Sequence, residues 1–153
     1  MDTKDRTILS LLQQNAMYTA AELGEQVGLS TTPCWRRVQR LEQEGYIRQR
    51  VALLDHHKMN VGVTVFVAVR TSRHTPEWLA KFREAIATTP EIVEAHRLSG
   101  EVDYLLRVVV PGIDGWDRVY RRLIEAVEFS DVSSSFSMEE LKFTTAIPVD
   151  HAP

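Results

Sequence analysis

The sequence predicts an α+β protein in two parts: a three-helix, winged-type helix-turn-helix, then a unit ordered β-α-β-β-α-β. Three observations carry this expectation. Apolar residues recur at helical spacing through about Leu41. From Val61 the period becomes two, with Val61, Val63, Val65, Val67 and Val69 on one strand face. Beyond that, strand-like and helix-like stretches alternate as in a ferredoxin-like split βαβ unit.

The first helix is expected over Thr3 to Gln14, with Ile8, Leu9, Leu11 and Leu12 at helical spacing. The second opens on a capping box, Thr19 with Glu22, and buries Ala20, Leu23 and Val27. Gly28 sits where a helix often ends in the left-handed conformation, and Leu29 is placed to plug the turn. Ser30 is a suitable N-cap for a third helix, with Pro33 in its first turn, where a missing N–H costs nothing. At 100° per residue Cys34, Val38 and Leu41 share one face. Thr32, Arg36, Gln39 and Arg40 lie roughly opposite, with Arg37 on the boundary and Gly45 at the end. Two helices joined by a short turn containing Gly have helix-turn-helix spacing.

Ile47 to Leu54 is rich in strand-formers and is expected to be a joining strand, and Asp55 to Lys58 a turn. After the strand from Val61, a helix is expected over Thr75 to Thr88, ended by Pro90. Strands over Ile92 to Leu98 and Asp103 to Val110 flank a turn at Ser99 to Val102. A helix over Asp114 to Val127 and a strand from Val132 to about Met138 follow, and the remaining tail gives no clear pattern. The expected division is residues 1–46 for the helix-turn-helix, 47–60 for the linker strand and turn, and 61–153 for a ligand-sensing and oligomerisation domain. Two helices cover only one face of the sheet. The other face carries apolar side chains, whose simplest cover is a second copy, so a homodimer is expected.

The net charge is −3, but its distribution is uneven. Ser30 to Arg50 holds five arginines and two glutamates, giving +3, while residues 51–153 hold 11 Lys and Arg against 15 Asp and Glu, giving −4. A basic patch on an acidic body fits a duplex-DNA partner. The recognition helix of such a motif meets base edges with its N-terminal residues. Here those are Ser30, Thr31, Thr32, Pro33, Trp35 and Arg36. Threonine and proline offer carbon contacts to thymine, and arginine a bidentate contact to guanine. Arg40, Arg48 and Arg50 suit the phosphate backbone. Arg37 suits either DNA or a structural ion pair.

Other classes find little support. No nucleophile with a paired base and no phosphate loop is present, so an enzyme is not expected. His56 and His57 have no third ligand at useful spacing, so no metal is expected. The longest uncharged apolar run, Met59 to Val69, is about half a membrane span, and the N-terminus does not read as a signal peptide. The single cysteine, Cys34, favours a reducing cytoplasm and reads as a small buried hydrophobe. A protein-interaction module remains as a rival to DNA binding, and the arginine face argues against it.

The stretches AAELGEQVGLSTTPCWRRVQRLEQEGYI, VALLD and SGEVDYLLRV resemble the Lrp/AsnC (feast/famine) family of regulators, over nearly the whole chain. The resemblance implies a RAM/ACT-like sensor domain, dimers assembling up to octamers, and amino-acid effectors bound where dimers meet. TTPCW, Trp78 and DVSSSFSMEELKFTT are closer to the cysteine-responsive members, which implies L-cysteine as effector; other relatives respond to leucine or another amino acid. An amino-acid ligand needs N–H donors and an acceptor for its ammonium. Leu98, Ser99, Gly100, Glu101, Val102 and Asp103 offer both, with Glu101 or Asp103 as the acceptor. In the family the matching region is the last strand, with Ser134, Ser135, Phe136 and Ser137. Gly100 and Asp103 equally suit an ordinary turn and its cap, and the serine run a polar strand edge.

Overall fold

Helix α1 (Thr3–Gln14) is launched by a capping box that local sequence chemistry dictates. The Asp5 N–H donates to Asp2 Oδ1 at 2.9 Å, and the Asp2 N–H donates back to Asp5 Oδ2 at 3.2 Å. The Thr19–Glu22 box opens α2 (Ala20–Val27), and Gly28 closes it with φ +64°. Gly24 is required by close approach: a Cβ there would lie 2.5 Å from the Leu29 carbonyl oxygen. The Leu29 N–H donates to the Gly24 carbonyl at 2.8 Å, which tightens the turn into α3 (Thr31–Gln43). Ile8, Leu12, Leu23, Cys34, Val38 and Leu41 form the core of these helices.

The computed structural model describes all 153 residues, in two units: Met1–Ala52 with Leu141–Pro153, and Leu53–Glu140. Two expectations are corrected here. Ile47 to Leu54 does not form a strand, because residues 48–55 find no ladder partner in the chain and leave Val51, Leu53 and Leu54 exposed. The tail 141–153 does not belong with the sheet. It has no helix or strand, and it groups with the N-terminal helices. The turn does form at 56–60, where Asp55 Oδ1 accepts the N–H groups of His57 and Lys58.

In the second unit the order is β1 (Val63–Arg70), α4 (Pro76–Ala87), β2 (Ile92–Arg97), β3 (Tyr104–Val110), α5 (Ile113–Ala126) and β4 (Asp131–Phe136). The antiparallel sheet runs β2-β3-β1-β4, so β2 and β4 are its edges. Val65, Val67, Val69, Leu106, Val108 and Val110 are fully buried beneath the helices with Trp78, Phe82 and Trp116. The opposite face carries Phe66, which is 41% exposed, Ala68, Leu105 and Val109. It is less apolar than expected. Arg107 Nη2 pairs there with Glu94 Oε1 at 2.7 Å, and His96 Nε2 lies 3.6 Å from the same carboxylate.

Candidate nucleic-acid interface and ligand site

Burial sorts α3 as its periodicity predicts. Cys34, Val38 and Leu41 are buried, and Thr31, Thr32, Pro33, Trp35 and Arg36 are exposed. Ser30 holds the N-cap position with extended backbone, but its hydroxyl makes no capping bond. The reason is chemical: the N3 residue that would donate to it is Pro33, which has no N–H. The Ser30 hydroxyl and the N–H groups of Thr31 and Thr32 are therefore not consumed by a cap, an arrangement suited to a phosphate oxygen.

The arginines divide by what their guanidinium groups already hold. Arg37 Nη1 donates to Asp2 Oδ2 at 2.6 Å and to Asp5 Oδ1 at 2.8 Å. Arg40 Nη2 donates to Asp5 Oδ2 at 2.6 Å. Arg37 thus takes the structural alternative left open for it. Arg40, expected on the phosphate backbone, is committed to the same buried carboxylate. Arg50 is committed too, to Glu42 at 2.9 Å and the Ala16 carbonyl at 3.0 Å. Arg36 and Arg48 are exposed and have no carboxylate partner. They are the free cations of this surface.

Asp5, with a side chain only 3% exposed, is the residue that sequence reasoning missed. Its local signal is a first-turn cap, which explains the acid but not its burial. Burial pushes its pKa up, yet the hydrogen bonds from Arg37, the Asp2 N–H and Arg40 outweigh this and hold it below the ordinary value. Asp2 is lowered to about 2, first by the Asp5 N–H and then by Arg37. Arg37 is raised in turn by Asp5 and Asp2. Burial raises the Cys34 thiol above its ordinary value, against a smaller opposing pull from the Arg37 charge.

At the expected ligand turn, Gly100 has φ +131° with open space around it. Leu98, Ser99, Gly100 and Glu101 are exposed, and Val102 and Asp103 half-buried. Asp103 serves the fold: its Oδ2 accepts the Thr71 N–H at 2.8 Å, and its own N–H donates to the Val69 carbonyl at 3.0 Å. Its Oδ1 is 3.8 Å from His74 Nε2. Glu101, 93% exposed, is 3.5 Å from Arg70 Nη2. Arg70, Thr71 and His74 had no sequence signal, since their place beside the turn follows from β1 pairing with β3.

Ser134 and Phe136 pair with Val67 and Val65 on the helix side of the sheet, and Ser135 pairs with Phe66 on the open side. The serine run lies on edge strand β4, whereas the turn joins β2 and β3. With β1 intervening, β3 and β4 are about 10 Å apart. Within one chain Leu98–Asp103 and Ser134–Phe136 therefore lie on strands that are not neighbours in the sheet.

Residues 64–147 match the Lrp/AsnC ligand binding domain family, and residues 1–48 the winged helix-turn-helix DNA-binding family. The chain is 46% identical over 149 residues to the glutamate uptake regulatory protein of Zymomonas mobilis, covering 97% of this chain and 91% of that one. It is 43% identical over 151 residues to the DNA-binding transcriptional activator DecR of Escherichia coli, covering 98% and 99%. An AsnC family transcriptional regulator from Agrobacterium tumefaciens superposes with a TM-score of 0.95 at 54% identity, over 100% of both chains. A Neisseria meningitidis transcriptional regulator, solved as its L-Met complex, gives 0.93 at 35%, over 99% and 98%. No helix here is long and apolar enough to cross a membrane.

Proposed function

The chain belongs to the Lrp/AsnC family of DNA-binding transcription regulators, not enzymes, and on that premise we propose that it binds duplex DNA as a homodimer gated by L-cysteine. The observation that carries the DNA half is the start of α3, where Thr31, Thr32, Trp35 and Arg36 stand exposed beside an uncapped helix terminus. In this reading these side chains read bases and Arg48 holds a phosphate, while Arg37 and Arg40 keep the helix in place. The separation of the turn from the β4 serines supports a site completed by a second copy. The open sheet face supports the same assembly, with octamers as its extension.

L-cysteine rests on the likeness of TTPCW and DVSSSFSMEELKFTT to cysteine-responsive members. The L-Met complex of the Neisseria regulator favours a second reading, in which another small amino acid such as methionine or leucine occupies the same cleft. A gel shift on the upstream DNA of the protein's own gene, at fixed salt, tests both. Binding that weakens steeply with salt and shifts on adding L-cysteine is expected. No binding at low salt overturns the DNA reading. A shift with methionine or leucine but not cysteine overturns the narrower one.

A further inference from the structure

Segment 141–153 has no regular structure, yet it is tied to α1. The Ile147 N–H donates to Gln13 Oε1 at 2.7 Å, and Gln13 Nε2 donates to the Ile147 carbonyl at 3.0 Å. Arg6 Nη2 donates to the Ala152 carbonyl at 2.9 Å. Apolar burial adds little, because Leu141 and Ile147 stay 87% and 72% exposed. The seat is also imperfect: Arg6 Nε is buried without a partner, a cost that water would relieve on release. A segment held by a few polar bonds over an unsatisfied donor belongs to the low-stability end of local opening.

Two connections give this segment consequence. It is the direct continuation of β4, with only residues 137–140 between Phe136 and Leu141. Its seat, α1, is the helix whose Asp5 holds Arg37 and Arg40 of α3. We propose that 141–153 is a releasable strap: docked on Gln13 and Arg6 in the ligand-free chain, and released when an amino acid binds at β4, which changes how α1 holds the recognition helix. The proposal rests on the ligand-gated reading above. It supplies a two-state element that both the ligand and the DNA-binding helix bias.

The test uses the full chain and two variants: Gln13→Leu, which removes both amide bonds, and Ile147→Pro, which removes the tail's donor and leaves α1 untouched. DNA affinity is measured by fluorescence anisotropy with and without L-cysteine, then L-methionine and L-leucine, after circular dichroism confirms folding. The wild-type ligand-dependent change, about fivefold or more for ordinary coupling, is expected to fall to about unity in both variants. Their affinity should equal that of ligand-bound wild type. In wild type, hydrogen exchange at the Ile147 amide should quicken when the ligand is added. A folded variant that keeps the full wild-type response overturns the strap and leaves the ligand-gated reading standing, as does unchanged Ile147 exchange. A wild-type protein that responds to no amino acid overturns both.

Discussion

The two candidate surfaces differ in how much of each a single chain completes. The α3 surface is finished within one chain: α1 presents a buried carboxylate, and two arginines one helical turn apart close on it. The residues proposed for the ligand lie apart within one chain, the turn joining β2 and β3 and the serines on edge strand β4. A recognition helix needs a fixed orientation before it meets DNA, and an internal ion-pair cluster supplies one.

The sharpest way to break this contrast is Asp5→Ala. It strands two guanidinium groups and should cost about 3 kcal/mol, below the top of the range for buried pairs because both arginines are partly solvated. Urea unfolding of the free protein reads it. A loss near zero would mean the clamp does not orient α3. Next in size, Arg36→Ala should weaken specific DNA binding by about 2 kcal/mol and relax base preference at one position. Arg48→Ala should weaken all sequences alike and lower the salt slope by about one. If Arg37→Ala instead behaves like Arg36→Ala, altering sequence preference without loss of stability, the division of the arginines is wrong. On the ligand side, Gly100→Ala places a side chain at φ +131° and should destabilise by about 1 kcal/mol, with a weaker ligand response on titration.

The smallest effect is the pH dependence of the clamp. Asp2 and Asp5 both have folded pKa values below the unfolded 3.8, with Asp2 at about 2. Their contribution is thus fully present above the unfolded value and is lost as pH falls from there toward 2. Urea midpoints measured down that range should drop for wild type and drop less for Asp5→Asn, which has already lost one of the two carboxylates.

Much of this was legible locally. The Thr19–Glu22 box, the left-handed Gly28 and the buried stripe of α3 all follow from spacings of a few residues. The same holds for the β1 alternation and for helices α4 and α5, which formed within a residue or so of expectation. The expected strand at Ile47 to Leu54 failed because strand propensity needs a neighbour to pair with, and one chain offers none. Ser30 was legible as a cap position, but Pro33 three residues on removes the donor that capping requires.

The sequence by itself determined where the helices and the four sheet strands lie, which face each buries, and which residues open the recognition helix, but not that Ile47 to Leu54 stays without a strand. These rest on periodicity and caps, whose partners are three or four residues apart. The tertiary structure alone decided that Arg37 and Arg40 serve Asp5 across more than thirty residues, that Asp103 caps Thr71, and that the tail returns to α1. Those roles depend on which distant groups meet, and an arginine facing a phosphate and one facing a buried carboxylate read alike along the chain.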